Sequence, residues 1–156
     1  MNTSLNEYFP AVTADGAAFL FTRGLKQPEI PDYENEDFFI SLRADGVWQQ
    51  ADPIREVNSP GNEGAPTLSA DGTIMFFASC SNEFGDYGST DRKGYGSCDI
   101  FYSQKFNGHW SRPRNAGPAV NSEHWETQPS FSSDGRTLYF IRGMRTGRGI
   151  KEQDIF

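Results

Sequence analysis

One phrase recurs three times along the chain, and that recurrence constrains the fold more than any other feature. Glu-x-x-Pro-x-x-(Ser/Thr)-x-Asp-Gly runs from Glu7 to Gly16, from Glu63 to Gly72 and from Glu126 to Gly135. An apolar run follows each copy: Phe19-Leu20-Phe21, Met75-Phe76-Phe77 and Leu138-Tyr139-Phe140. A second phrase trails each run: Asp37-Phe38-Phe39, Asp99-Ile100-Phe101 and Asp154-Ile155-Phe156. Equivalent Asp-Gly pairs lie 56 and 63 residues apart, so one supersecondary unit is repeated, as in solenoids, propellers and other arrays.

The linkers keep the same register. Val57-Asn58-Ser59 precedes Pro66, and Val120-Asn121-Ser122 precedes Pro129, at one offset; Met1-Asn2-Thr3 stands at that offset from Pro10. The spacing predicts a single partial domain, 1–156, made of units 2–57 and 58–120 and a truncated unit 121–156. Met1 takes the place of a linker valine, and the last unit stops at its Asp-Ile-Phe phrase. Both observations predict a piece of a longer polypeptide.

Punctuation within a unit predicts four strands. Asp15-Gly16, Asp71-Gly72 and Asp134-Gly135 are dipeptides that supply positive φ in two-residue hairpins, here between the first and second strands. Asp45-Gly46 and Asn107-Gly108 do the same between the third and fourth. In the first unit the strands fall near 8–13, 17–23, 38–42 and 47–50. Trp48 and Trp110 sit two residues past their turn glycines, where a large apolar face can cover the adjoining sheet. A repeated four-stranded antiparallel meander describes a β-propeller blade, so the expected class is all-β, with about two and a half blades of an incomplete propeller. Gly and Pro density and the lack of a 3.6-residue period exclude a helical solenoid; a sandwich fits the strands but leaves the exact repetition unaccounted for.

Composition narrows the partners. A net charge of −7 opposes attraction to phosphate backbones and argues against nucleic acid. The charge is uneven, with 10 acids against 4 bases in residues 2–57 and 5 of each in residues 121–156. The sequence has no run of 18 apolar residues that would predict a transmembrane helix, and its first residues lack the pattern of a signal peptide.

The Pro-x-x-(Ser/Thr)-x-Asp-Gly turn, the Asp-Ile-Phe phrase, the Asn-Gly-x-Trp-x-x-Pro hairpin and the Val-Asn-Ser linker together resemble the WD-repeat-like propeller repeats of the TolB type. They are most similar to the variety in bacterial envelope proteins, where such propellers often precede an OmpA-like domain. The likeness spans Asn2 to Phe156. It implies a non-catalytic binding scaffold at the periplasm or outer membrane, with a protein or cell-wall glycan as partner. The alternative it leaves open is an accessory propeller of an exported hydrolase, a peptidase or glycosidase whose catalytic residues lie outside this chain. Self-association through open blade faces is a third reading.

Loop length varies on the rim formed by the connections between second and third strands, roughly 24–36, 80–98 and 143–153. Recognition usually resides in such loops on rigid scaffolds, and the candidate anchors there are Tyr33, Glu34, Phe84, Tyr87, Arg92, Tyr95, Arg145 and Arg148. Solvated insertions without a ligand are the plainer reading. Cys80 and Cys98 flank the longest loop and are disulfide candidates, which would require an oxidising compartment; two reduced, half-buried thiols are the alternative. No phosphate loop, paired-His metal signature or Gly-x-Ser-x-Gly elbow occurs. His109 and His124 are expected on opposite rims, so no catalytic residue, metal or cofactor is predicted.

Overall fold

The computed structural model describes residues 3–28 and 34–156, and every regular element within them is a strand. Unit 1 holds β1 (Glu7–Val12), β2 (Ala18–Lys26), β3 (Glu34–Ala44), β4 (Val47–Trp48) and β5 (Asp52–Pro53). Unit 2 holds β6 (Asn62–Leu68), β7 (Ile74–Cys80), β8 (Cys98–Phe106), β9 (His109–Trp110) and β10 (Arg114–Asn115). Unit 3 holds β11 (Trp125–Phe131), β12 (Leu138–Thr146) and β13 (Gly149–Ile155). Successive strands within a unit pair antiparallel. The expected fourth strand is divided into two short pieces, β4 and β5 on β3, and β9 and β10 on β8. A single parallel bridge, Trp125 with Cys98, joins units 2 and 3.

The two hairpin types differ, which corrects the expectation that both are two-residue turns. Asp45-Gly46 and Asn107-Gly108 have φ of 52° and 77°, and 50° and 86°, the paired positive values of a type I′ turn. At the other hairpin Thr13 N–H donates to Ala18 C=O and Gly16 N–H donates to Thr13 C=O, so the loop is residues 14–17 and Gly16 alone has positive φ. Asp15 accepts from the Thr13 hydroxyl and Ala17 N–H, and Asp71 and Asp134 repeat the arrangement with Ser69 and Ser132. The recurring Ser/Thr-x-Asp-Gly is therefore a side-chain-capped turn.

The recurring proline has an equally local cause. Phe9, Ala65 and Gln128, each immediately before the proline, carry φ of 52°, 53° and 50°. The ladder slips there in every unit, between Tyr8 and Ala11, Gly64 and Thr67, and Thr127 and Ser130. Proline has no N–H to give the ladder, so the strand passes it through a bulge.

Strand alternation distributes the core. Leu20, Phe38, Met75, Phe77, Phe101 and Trp110 form one cluster drawn from units 1 and 2, with Phe38 and Phe77 edge to face at 5.2 Å. The neighbours Phe21 and Phe39 point the other way into a second cluster with Ala51. Phe76 meets Phe131 at 5.4 Å between units 2 and 3. Trp110 is buried as an anchor, and Trp48 is half-buried against Phe19.

Rim loops are shorter than the spacing predicts. β2 and β3 extend to Lys26 and back to Glu34, and β12 and β13 leave only residues 147–148 between them. The long connection is the one in unit 2, residues 81–97.

Candidate binding surface

Polar groups behind this rim follow the repeat. In unit 3 Glu126 accepts from Ser122 N–H and hydroxyl and from Arg142 Nε at 2.7 Å, and Arg142 also donates to the Val120 carbonyl. In unit 1 Glu7 accepts from Thr3 and from Arg23 Nε at 3.1 Å. Both arginines stand directly across the ladder from their glutamates. The linker asparagine bonds to the strand on its other side. Asn58 accepts from Phe38 N–H and donates to Phe38 C=O, and Asn121 does the same to Ile100. Its amide substitutes for one residue of a neighbouring strand.

Unit 2 breaks this pattern. Ser79 occupies the position across from Glu63 where the other units carry arginine. The cation comes instead from the long loop: Arg92 reaches Glu63 and the Val57 carbonyl, and also meets Ser59 and Ser79. The pair is dry, with side-chain exposures of 5% for Arg92 and 0% for Glu63. Burial pushes the Glu63 carboxyl up to about 7, against the opposing pull of Arg92 and the Ser59 donors.

The rest of the loop is anchored with similar care. The Tyr87 ring lies 5.5 Å from Phe101, and its hydroxyl donates to Gly96 C=O and to Asp99, at 2.7 and 3.0 Å. Asp99 also accepts from Tyr95 N–H, Gly96 N–H and the Asn115 amide. Burial, with Asp99 beside it, pushes the Tyr87 phenol far above its usual range. Two glycines permit the wrap. A Cβ on Gly94 would meet the Tyr87 ring at 2.2 Å, and one on Gly96 would meet the His124 carbonyl oxygen at 2.1 Å. Cys80 and Cys98 face each other across β7 and β8 with their sulfurs joined at 1.98 Å, closing the loop at its base.

Two of the expected recognition residues are thereby corrected. Tyr87 is 2% exposed and Arg92 is 7% exposed, so both hold the loop down from beneath and offer no surface to a partner. Phe84, 85% exposed, and Tyr95, 53% exposed, do face solvent. Glu34 lies at the start of β3, half-buried, and accepts from the Asn6 amide. Arg148 is exposed in the turn between β12 and β13, far along the chain from the unit 2 loop. Tyr33 and the Arg145 side chain lie outside the described residues. Arg142 belongs to β12 and pairs with Glu126.

Beside the loop runs a groove of about 530 Å³ lined by Gln27, Asn62, Ser81, Asn82, Glu83 and Asp86. Asn82 shapes it by accepting from Phe84 N–H and Asp86 N–H, which turns the chain and throws the Phe84 ring outward. The Glu83 and Asp86 carboxylates in this groove, with the exposed Phe84 next to Glu83 in the chain, suit a ligand that brings hydrogen-bond donors and some apolar surface. His109 lies 3.4 Å from Glu56 and is exposed, while the His124 carbonyl accepts from Ser97 N–H. Among the described residues no group of three or more His, Cys, Asp or Glu side chains is placed to hold a metal ion.

No protein family profile matches the chain, and no curated protein matches it. Among solved structures it is similar to TolB from Acinetobacter baumannii, with 13% identity and a TM-score of 0.48 over 97% of this chain. The chain spans 33% of that protein's length. What defines this protein is therefore its own architecture: an all-β array of antiparallel units in which one unit carries a clipped, ordered loop.

Proposed function

We propose that the three units are consecutive blades of a TolB-type β-propeller and that the chain is a non-catalytic scaffold which holds a protein partner on the rim built by residues 81–97. One observation carries this reading. A loop closed by a disulfide and tied down by Arg92 and Tyr87 presents Phe84 and Tyr95 to solvent. Ordering a loop has an entropic cost, and a loop ordered in advance spares a partner that cost. Exposed aromatics on a rigid base are the usual anchors of such contacts.

The buried ionisable groups support a scaffold over a catalyst. Glu63, Glu126 and Asp99 each spend their acceptor capacity on donors from their own unit or its linker. A disulfide as part of the loop's base favours an oxidising compartment, and the bacterial cell envelope is the one we propose.

A photo-crosslinking amino acid placed at Phe84 or Tyr95, and as a control at Leu42 on the opposite rim, tests the reading in the native host. Adducts of one protein from positions 84 and 95 alone support it. Equal adducts from all three positions, or none, overturn it.

A further inference from the structure

The equivalent aspartates of units 1 and 2 are treated very differently. Asp99 has four donors: the Tyr87 hydroxyl, Tyr95 N–H, Gly96 N–H and the Asn115 amide. Three of those come from the 81–97 loop. Asp37 holds the same register position in β3, yet its one hydrogen-bond donor among the described residues is the Asn35 amide at 2.8 Å. Pro53 stands across from Phe39 where unit 2 has Asn115 across from Phe101, so the fourth donor is missing as well.

A second acceptor beside it is also undersupplied. Asn35 is 7% exposed, and its Oδ1 is buried with no hydrogen-bond partner among the described residues, although its Nδ2 reaches Asp37. Buried oxygens without donors are uncommon and call for an explanation. Alongside lies a groove of about 480 Å³ lined by Leu25, Asp37, Phe39, Pro53, Arg55 and Asn58. The molecule thus contains the same carboxylate position twice, once supplied by its own loop and once with a single donor among the described residues.

We propose that the Asp37 groove binds a peptide segment of a partner, whose successive backbone N–H groups supply Asp37 as those of Tyr95 and Gly96 supply Asp99. The inference rests on the scaffold reading above and names a second site for it, in unit 1. Unit 2 supplies the template for the occupant: the two successive N–H groups of Tyr95 and Gly96 on the Asp99 carboxylate. In unit 1 the Arg23 guanidinium lies 4.2 Å over the Phe39 ring, so the seat that Tyr87 takes in unit 2 is already filled, and Leu25 and Pro53 supply the apolar side of the groove. The excess of acids in residues 2–57 favours a donor-rich ligand over an anionic one.

The probe is acetyl-Lys-Gly-Tyr-Gly-Ser-amide, the sequence of residues 93–97, titrated into the full isotope-labelled chain and followed by amide NMR shifts. Saturable shifts centred on residues 35–39, weakened at least tenfold by Asp37→Asn, are expected. Pro53→Asn gives a second arm, because it places an amide where Asn115 stands and supplies Asp37 internally; binding should weaken there too. Absence of shifts at millimolar peptide, shifts unchanged in both variants, or shifts confined to 81–97 would overturn the proposal. So would N-acetylglucosamine moving the 35–39 amides when the peptide does not. Failure here with crosslinks still forming at Phe84 and Tyr95 would leave the rim reading standing.

Discussion

Arg92 gives the sharpest test of how unit 2 is held together. Replacing it with alanine removes the cation from a glutamate whose side chain is fully buried and withdraws a donor from the Val57 carbonyl. Breaking one side of a buried pair costs about 3–5 kcal/mol, because the glutamate must then stay buried without its cation or take up a proton. Global stabilities are about 5–15 kcal/mol, so Arg92→Ala should remove a large share. With a urea dependence of about 2 kcal/mol per molar, the denaturation midpoint should fall by about 2 M. The structure also specifies a rescue. Ser79→Arg restores the cation from the strand position that Arg23 and Arg142 occupy in the other units. In the Arg92→Ala background it should recover at least half of the loss, while Ser79→Arg alone should destabilise by crowding two guanidinium groups onto Glu63. A loss below about 1 kcal/mol for Arg92→Ala, or a double variant less stable than the single, would refute the account.

Other consequences are open to simpler measurements. Replacing Cys80 and Cys98 together with serine should cost about 3 kcal/mol in the chain-entropy view of a loop of this size, read as the difference in urea midpoint from the oxidised protein. Burial raises Asp37 to about 6. The folded state then binds that proton more tightly than the unfolded chain, so the contribution is full below about pH 4 and is lost as pH rises towards 6. After allowance for solvent screening the loss is about 1 kcal/mol, and Asp37→Asn should flatten the stability profile between pH 4 and 6 in urea titrations. Gln128 is exposed with φ of 50°, so Gln128→Gly should raise the melting temperature by an amount equivalent to about 0.5 kcal/mol; Gln128→Val should lower it, because a β-branched residue resists that conformation.

The repeat makes the architecture legible because strand, turn and core each need particular residue types at fixed separations. Asp45-Gly46 and Asn107-Gly108 announce their type I′ turns through glycine and a residue tolerant of positive φ. The Ser/Thr-x-Asp-Gly turn escapes a dipeptide rule because its capping depends on Thr13, Ser69 and Ser132, three positions before the glycine. Tyr87 and Arg92 escape sequence reasoning for a deeper cause. Loop composition reports polarity, whereas burial is decided by what the loop folds back onto. A signal does exist: aligning the units shows arginine at 23 and 142 and serine at 79, a missing cation opposite the glutamate that all three units share. Arg92 answers that vacancy. The open state of Asp37 is not legible, since the sequence shows the same aspartate in all three units and differs only in what surrounds it.

The linker asparagines carry a consequence for how the array comes apart. Because Asn58 and Asn121 each bond both backbone groups of a residue in the preceding unit, while the next residue, Ser59 or Ser122, caps a glutamate of the following one, a single tripeptide belongs to two units at once. Neither unit can melt without stripping hydrogen bonds from its neighbour. The array should therefore behave as one cooperative body, with the Phe38 and Ile100 amides exchanging their protons only when the whole molecule opens.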